Sequence, residues 1–316
     1  MQMRALGRTG LSISPVVFGG NVFGWTADEK TSFDLLDTFF DAGYNAIDTA
    51  DVYSAWVDGH EGGESEIVIG NWLKRGHIAR DKAVIVTKVG FDNNGRKTGL
   101  SAKWIAEAVE ASLRRLQTDY IDLYLSHAPD ADVPHEETLG AFARLKEQGK
   151  VRAIGCSNFD ADQLAASFAV SRANNLPRYD VIQPEYNLYT RNKFEGALGD
   201  LCVAEDIGVI SYYALAAGFL TGKYREAKDT EGAARGYRVN DYLNDKGFRI
   251  LAALDQVSKE TGATPAAIAI AWVAARPGIT APIASATSLR QLESMIAAGR
   301  LQLSDAQMAL LNAAGA

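Results

Sequence analysis

Short apolar runs, each followed by an amphipathic stretch, recur about eight times along the 316 residues of the chain. Each run is apolar at nearly every position, as expected for strands that other elements cover on both faces. Strands that alternate with helices run parallel and are joined by right-handed crossovers. About eight such units favour a closed (β/α)8 TIM barrel over an open doubly wound sheet. The predicted strands lie at 16–20, 45–50, 83–89, 120–127, 151–158, 181–187, 208–215 and 280–286.

Helical patterns fill the intervals between these runs. The segment 31–43 places its apolar residues on one stripe and ends at Gly43, a residue type typical of the position after a helix. Ser101 is the predicted N-cap of a helix over 101–116. Further helices are predicted at 135–150, 161–174 and 193–208.

Two segments depart from the alternating pattern. The stretch 3–14, with Gly-Arg-Thr-Gly at its turn, predicts a β-hairpin ahead of the first strand, placed to cap the bottom of the barrel. An irregular, charged insertion is expected at about 218–247, after the seventh strand, and a loop that long is usually functional or mobile. Since no Pro/Ser-rich linker or low-complexity tract divides the sequence, residues 1–316 are interpreted as one domain.

Composition excludes several classes of protein. With 47% hydrophobic and 22% charged residues, the chain is neither disordered nor fibrous. A net charge of −7 argues against a nucleic-acid partner, which needs a basic surface. The two cysteines, Cys156 and Cys202, cannot form a disulfide framework, which favours a reducing compartment. Because neither a signal peptide nor a membrane-spanning stretch is present, a soluble, cytoplasmic protein is expected.

Ionisable side chains end several of the predicted strands, on the face where such barrels carry their reactive groups. Asp48 ends the second strand, and Tyr53 lies in the loop behind it. Lys88 ends the third strand and His127 closes the fourth. A free tyrosine has a pKa of about 10, so a nearby Lys88 ammonium is expected to lower it toward a useful value. The set predicts a general acid beside a polarised carbonyl group, or a general base on an alcohol.

Each of these residues also has a structural interpretation. A lone Asp or Lys at a strand end often forms a structural ion pair, and a lone His is about as often a satisfied core group. Tyr53 alone would usually be a packing residue. The catalytic interpretation rests on the placement of all four at the active face of consecutive units.

Other motifs indicate chemistry less strongly. The segment HEGGESE, 60–66, lacks the spacing of a zinc motif, so a solvated loop and helix start is predicted there and no metal site. The segment GFLTGKY, 218–224, has one residue too few for a phosphate loop, and no G-x-G-x-x-G follows the first strand. No G-x-S-x-G nucleophile elbow is present.

Six motifs fall in an order and at intervals that resemble those of the aldo-keto reductase family, over the whole chain. They are IDTADVYS (47–54), VTKVG (86–90), DYIDLYLSHAPD (119–130), AIGCSNF (153–159), IQPEYN (182–187) and GFLTGKY (218–224). The GGESE helix start and the long loop after strand seven look like the branch of bacterial general reductases and potassium-channel β subunits. The resemblance implies a barrel that reduces aldehydes or ketones with NADPH, bound without a Rossmann fold.

The resemblance also assigns roles to residues of this sequence. It implies a catalytic tetrad of Asp48, Tyr53, Lys88 and His127, the same four that the strand ends indicate. Substrate walls are expected at Trp25, Tyr53, Trp56, Phe91 and His127, which suits an apolar or aromatic carbonyl compound and leaves sugars open. The implied cofactor contacts are Gly20, Asn21, Asp48, Ser157, Asn158, Gln183, Tyr212, Leu215, Gly218, Lys223, Arg235, Ser285, Thr287 and Gln291.

The C-terminal cofactor motif departs from the family pattern. Ser294 and Met295 replace the Glu and Asn that usually clamp the adenine, so NADH remains possible beside NADPH. Two other functions stay open: a regulatory protein of the same fold that senses bound NADPH, and a barrel hydrolase or lyase that needs no nucleotide. A homo-oligomer is possible, and the sequence shows no interface.

Overall fold

Eight parallel strands close into a barrel in a computed structural model that describes residues 1–91 and 99–316. Neighbouring strands follow chain order, and β10 pairs with both β3 and β9 to close the ring. A separate antiparallel pair, β1 with β2, precedes the barrel. The strands are β1 (Arg4–Ala5), β2 (Ser12–Ile13), β3 (Val17–Gly19), β4 (Ala46–Asp48), β5 (Val84–Val89), β6 (Ile121–Ser126), β7 (Val151–Ser157), β8 (Val181–Gln183), β9 (Gly208–Ser211) and β10 (Ala281–Ala284).

Helices follow the strands and cover the outside of the barrel, so the predicted (β/α)8 architecture is confirmed. The part of the chain that the structure describes contains no helix with the length and apolarity that crossing a membrane requires. The helices are α1 (Glu29–Asp41), α2 (Glu64–Arg75), α3 (Ala102–Leu116), α4 (His135–Glu147), α5 (Ala161–Asn174), α6 (Ala197–Ala204), α7 (Gly236–Val239), α8 (Asp245–Thr261), α9 (Pro265–Ala274), α10 (Leu289–Ala298) and α11 (Asp305–Ala314).

Local sequence signals set several helix ends as predicted. Ser101 accepts a hydrogen bond from the backbone N–H of Trp104 at the start of α3. Gly43 adopts a left-handed φ of 92° just after α1. The helix expected over 193–208 is shorter, because Gly196 has a φ of 93° and a non-helical ψ and delays the start of α6 to Ala197.

Some strands are also shorter than the apolar runs that predicted them. The run 181–187 yields a strand only to Gln183, because Pro184 has no N–H with which to extend the ladder. The run 208–215 yields a strand only to Ser211, and Tyr213 then takes a left-handed φ of 58°. The residues beyond these strand ends form the loops at the mouth of the barrel.

The hairpin closes one end of the barrel, as the sequence predicted. Leu6, Leu11 and Ile13 pack in one apolar cluster with the inward-facing residues of the strands, among them Val17 and Val86. Burial of this cluster gives each residue about 1.5–3 kcal/mol relative to exposure. The filled interior leaves the opposite end of the barrel, at the carboxyl ends of the strands, as the place for a site.

The segment 218–247 forms the long insertion after the seventh barrel strand that the sequence predicted, and it is folded onto the barrel. Phe219 stacks on Tyr242 with ring centroids 5.5 Å apart, and Val239 is fully buried. These apolar anchors fold the segment onto the barrel in spite of its many charges. Its short helical turns lie at Ala216–Thr221, Ala227–Thr230, Gly236–Val239 and Asn240–Tyr242.

Candidate active site

All eight barrel strands bring predicted site residues to one end of the barrel. This placement follows from parallel strands alone, because their carboxyl ends share one face. In strand order, these residues are Gly20 and Asn21 after β3, Asp48 at the end of β4, Lys88 in β5, His127 after β6, Ser157 and Asn158 at the end of β7, Gln183 at the end of β8, Tyr212 after β9 and Ser285 after β10.

The ammonium of Lys88 is the centre of the site. It donates to Asp48 Oδ1 at 2.7 Å, to the carbonyl oxygen of Thr49 at 2.6 Å and to the hydroxyl oxygen of Tyr53 at 2.9 Å. Lys88 is fully buried, and Gln183 Nε2 donates to the other oxygen of Asp48 at 2.7 Å. Three fixed acceptors hold the ammonium in one position, so the Tyr53 hydroxyl lies at a defined point in the mouth of the barrel.

The turn after β4 places Tyr53. Its neighbour Ser54 adopts a left-handed φ of 73° and is buried, and the Ser54 hydroxyl donates to the carbonyl oxygen of Phe23 at 2.9 Å. A serine in this conformation costs about 1–3 kcal/mol, and such strain tends to be concentrated at functional sites. The hydrogen bond to Phe23 offsets part of that cost and ties the turn to the loop after β3.

Burial dominates the protonation of the site. It raises the pKa of Tyr53 well above its ordinary value, the nearby charge of Asp48 adding to the effect, and it lowers the pKa of Lys88. The expectation that Lys88 would leave Tyr53 with a lowered pKa was therefore wrong. Because its pKa is high, the phenol of Tyr53 is protonated at neutral pH, which is the form that a proton donor needs.

His127 lies beside Tyr53 as a neutral imidazole. The two ring centroids are 6.0 Å apart, and burial together with the charge of Lys88 lowers the pKa of His127 well below its ordinary value. Its Nδ1 is buried without a hydrogen-bond partner among the described residues. A buried ring nitrogen without a partner costs free energy unless a ligand oxygen or water satisfies it. The His127 ring therefore has capacity to bind one more polar atom at Nδ1.

Amide and hydroxyl groups continue the site across β7, β8 and β9. Asn158, in a left-handed conformation with a φ of 62°, donates from Nδ2 to the carbonyl oxygen of His127 at 2.8 Å. Its Oδ1 accepts from the Tyr212 hydroxyl at 2.7 Å, and the Ser157 hydroxyl donates to the carbonyl oxygen of Gln183 at 2.8 Å. These hydrogen bonds tie the carboxyl ends of β6, β7, β8 and β9 together.

The loop after β9 has an unusual backbone. Leu215 precedes three consecutive residues with left-handed φ, namely 46° at Ala216, 56° at Ala217 and 101° at Gly218. Alanine adopts this region only at a cost, so packing must hold the loop in place. Lys223 follows on the surface, its ammonium 4.7 Å from the ring centroid of Tyr224.

The chain after β10 forms a polar corner at the start of α10. The Ser285 hydroxyl donates to Asn21 Oδ1 at 2.8 Å, and Thr287 donates from its backbone N–H to Gln291 Oε1 at 2.9 Å. Ser294 pairs with the hydroxyl of Thr264 at 3.0 Å, and Met295 is buried in the core. The two residues that depart from the family motif therefore present neither a carboxylate nor an amide to this corner.

Aromatic residues form one side of the mouth. The Trp25 and Trp56 rings meet edge to face at 5.6 Å, and Trp56 lies 6.0 Å from the ring of Tyr53. Phe91 lies 4.8 Å from the His127 ring, and Trp56 and Phe91 are 46% and 44% exposed. Arg235 lies over Trp25, on this apolar side of the mouth. Large aromatic rings left this exposed around a polar centre suit an apolar part of a small ligand.

Sequence reasoning missed a pair of acids below the tetrad. Glu66 is fully buried, accepting from Arg115 Nε and from the Thr87 hydroxyl at 2.6 Å each, so the solvated interpretation of HEGGESE is wrong at this residue. Asp51 Oδ1 is buried without a partner among the described residues. Glu66 precedes the buried Ile69 by three residues, and this acid on the apolar stripe of α2 was the available sequence signal.

Asp51 gives a prediction for stability against pH. Burial and the charge of Glu66 raise the pKa of Asp51 to about 7, against about 4 in an unfolded chain. Between these values the unfolded chain loses a proton that the folded chain keeps, so stability falls as pH rises through this window. The unfolding free energy of Asp51→Asn, relative to that of the wild type, should rise by about 1–2 kcal/mol between pH 5 and pH 8. This rise is smaller than the full pKa shift would give, because the side chain is partly exposed. Denaturant unfolding at both pH values measures it, and an equal offset at both would contradict the assignment.

Comparisons with known proteins show the family of this chain. The family model described as Aldo/keto reductase family matches residues 15–316. The uncharacterized oxidoreductase YrpG of Bacillus subtilis is 35% identical over 99% of this chain and 95% of its own length. The aldo-keto reductase YhdN of the same species is 34% identical over 93% of this chain and 88% of its own length. A probable voltage-gated potassium channel subunit beta of rice, Oryza sativa subsp. japonica, is 34% identical over 92% of this chain and 89% of its own length.

The chain belongs to the aldo/keto reductase family. Its class is that of NAD(P)H-dependent oxidoreductases that reduce carbonyl groups of small molecules. Within the described residues, no group of three or more His, Cys, Asp or Glu side chains could hold a metal ion.

Proposed function

We propose that this protein is an NADPH-dependent reductase of aldehydes and ketones in which Tyr53 is the general acid. The observation that carries the proposal is the position of the Lys88 ammonium, which contacts both Asp48 Oδ1 and the Tyr53 hydroxyl at the mouth of the barrel. An ammonium bonded to the phenol oxygen stabilises the phenolate that forms as the proton leaves. A structural ion pair alone would not need the tyrosine hydroxyl in this place.

The residues of the tetrad then have distinct tasks. Reduced nicotinamide, when bound, supplies a hydride to the carbonyl carbon. Tyr53 donates its proton to the carbonyl oxygen, and Lys88 stabilises the resulting phenolate through their 2.9 Å hydrogen bond. Asp48 holds Lys88 in place, and neutral His127 donates a hydrogen bond to the same carbonyl oxygen.

The strand-end residues fit a nicotinamide carboxamide beside this centre. Ser157, Asn158 and Gln183 supply amide and hydroxyl groups, and Tyr212, held by its bond to Asn158, supplies an aromatic face for the ring. We also propose that Gly20 and Asn21 border the cofactor after β3, and that Leu215 and Gly218 border its pyrophosphate. Single-domain organisation over 1–316 and a cytoplasmic location stay predictions from the sequence, and the oligomeric state stays open.

The preference for NADPH is proposed from the polar corner at α10. Ser285, Thr287 and Gln291 offer hydrogen-bonding groups there, and the N-terminus of a ten-residue helix favours an anion such as the adenosine 2′-phosphate. Arg290, exposed in the first turn of α10, supplies a charge to compensate for Ser294 and Met295.

Cofactor titration with an arginine variant tests this preference. We expect Arg290→Ala to weaken NADPH binding by about 5- to 10-fold and to leave NADH binding within about twofold, because only NADPH carries the 2′-phosphate. Quenching of tryptophan fluorescence measures both affinities. Arg300 lies just beyond the other end of the same helix, so Arg300→Ala is the matched control and should change neither. Equal losses for the two cofactors would remove Arg290 from the site.

Turnover separates a reductase from a regulatory protein that only senses the nucleotide. The likeness to the rice channel subunit makes this second function specific enough to test. A reductase should oxidise many equivalents of NADPH per active site with an aromatic aldehyde. Tight NADPH binding with no more than one turnover would favour the sensor.

A further inference from the structure

Arg235 is a cation in the mouth of the barrel, on the substrate side. Its guanidinium carbon lies 5.3 Å from the ring centroid of Trp25. Trp25 meets Trp56 at 5.6 Å, and Trp56 lies 6.0 Å from the Tyr53 ring. A continuous aromatic wall therefore runs from the proposed proton donor to a guanidinium group.

The surroundings of Arg235 leave its charge uncompensated. Among residues 1–91 and 99–316, no carboxylate lies within ion-pair distance of its side chain, whereas Arg225 has Asp255 and Arg115 has Glu66. The groups that act electrostatically on Arg235 are the phenols of Tyr53, Tyr213 and Tyr237 and the cation of Arg238. A largely buried arginine is normally paired, so this one is built to meet an anion from outside the chain.

The position of Arg235 also indicates which part of a ligand it meets. Its charge lowers the pKa of Tyr53, partly offsetting burial, so the guanidinium acts on the end of the site where the carbonyl reacts. Lys223, by contrast, lies on the exposed surface against Tyr224, after the left-handed stretch of the β9 loop. The implied role of Arg235 as a cofactor contact therefore competes with a role toward the substrate.

We propose that Arg235 binds a carboxylate on the carbonyl substrate, so that the preferred substrates are aldehyde or keto acids with an apolar spacer between the two groups. The inference rests on the proposed reductase function. In this arrangement the carbonyl oxygen lies at Tyr53 and His127, the spacer lies against Trp25 and Trp56, and the carboxylate pairs with the guanidinium. Guanidinium and carboxylate form two parallel hydrogen bonds, and the aromatic wall excludes water from them.

A matched pair of substrates tests the proposal. 4-Carboxybenzaldehyde carries a carboxylate, and methyl 4-formylbenzoate is the same aldehyde with that charge removed. We expect the wild type to have a kcat/KM at least about 10-fold higher for the acid than for the ester. Arg235→Met, which keeps an apolar side chain on Trp25, should raise KM for the acid by about 10- to 100-fold and change KM for the ester by less than about twofold. NADPH affinity, measured by fluorescence quenching, should stay within about twofold.

Two further variants distinguish direct pairing with the carboxylate from a general effect of nearby positive charge. Arg235→Lys keeps the charge without the bidentate geometry, so it should retain part of the preference for the acid. Arg238→Met removes the neighbouring cation, which already has Tyr237 as a partner at 3.1 Å, and should lower kcat/KM for the acid by less than about threefold.

The outcomes separate this inference from the proposed function. If Arg235→Met weakens NADPH binding and affects acid and ester equally, the arginine is a cofactor contact and the inference fails while the reductase stands. The inference also fails if the wild type has the same kcat/KM for the ester as for the acid. If the wild type binds NADPH but reduces neither aldehyde, the proposed function fails and the inference falls with it.

Discussion

Tyr53→Phe is expected to lower the rate of aldehyde reduction by about 10²- to 10⁴-fold, the range that a positioned general acid contributes. The change deletes one oxygen, the one that accepts from Lys88 at 2.9 Å, and keeps the ring against Trp56 and His127. NADPH affinity should therefore stay within about twofold. Single-turnover oxidation of bound NADPH measures the chemical step, and fluorescence quenching measures binding.

Tyr124→Phe is the matched control for this variant. Tyr124 is a fully buried phenol on β6 whose hydroxyl has no hydrogen-bond partner among the described residues. Its loss leaves the tetrad intact, so the rate should stay within about threefold. If Tyr53→Phe kept most of the wild-type rate, or if both variants lost rate equally, Tyr53 would not be the proton donor.

Gly70→Ala should destabilise the fold by about 3 kcal/mol, which is large for the addition of one methyl group. Gly70 lies where α2 packs on α3, and a Cβ there would overlap the carbonyl oxygen of Arg115 and lie 2.8 Å from the carbonyl carbon of Leu116. Both atoms are backbone, so the two helices must separate to admit the methyl group. Equilibrium unfolding in urea, followed by tryptophan fluorescence, measures the change.

Gly140→Ala is the matched control, because it is also a glycine-to-alanine change within a helix but should raise the stability of the fold. Gly140 lies within α4, and the nearest atom to an added Cβ is the flexible Arg144 side chain at 3.9 Å. Alanine there lowers the entropy of the unfolded chain without a clash, so we expect a gain of about 0.5–1 kcal/mol. If Gly70→Ala were neutral or stabilising like this control, the close approach of α2 and α3 would be contradicted.

The sequence was sufficient to predict the barrel architecture, because that architecture depends on the pattern of apolar and polar residues along the chain. Apolar runs and amphipathic stretches specify parallel strands with outer helices, and Ser101 and Gly43 mark helix ends through local chemistry. The ends of strands and helices that depend on local backbone chemistry were harder to predict from the sequence. Gly196 shortened α6 through its backbone conformation, and Pro184 ended β8 because it lacks an N–H, and hydrophobic periodicity encodes neither effect.

The site was predictable in position and less so in electrostatics. Parallel strands bring Asp48, Lys88 and the other strand-end residues together whatever the details of packing. Protonation depends on how far each group is buried, which the sequence does not give, and the direction of the Tyr53 pKa shift was therefore missed. Glu66 was missed for the same reason, because only the packing of α2 against the barrel and α3 shows that this acid is buried.

Transfer of deuterium from the cofactor to the alcohol would show directly that this protein reduces a carbonyl group with a hydride. The wild-type protein would be mixed with an aromatic aldehyde and NADPH carrying deuterium at the transferable C4 position, and the alcohol analysed by mass spectrometry and NMR. We expect one deuterium on the carbinol carbon of the alcohol, formed over many turnovers, and a lower rate of labelling with Tyr53→Phe. An alcohol without the label, or NADPH bound with no alcohol formed, would contradict it.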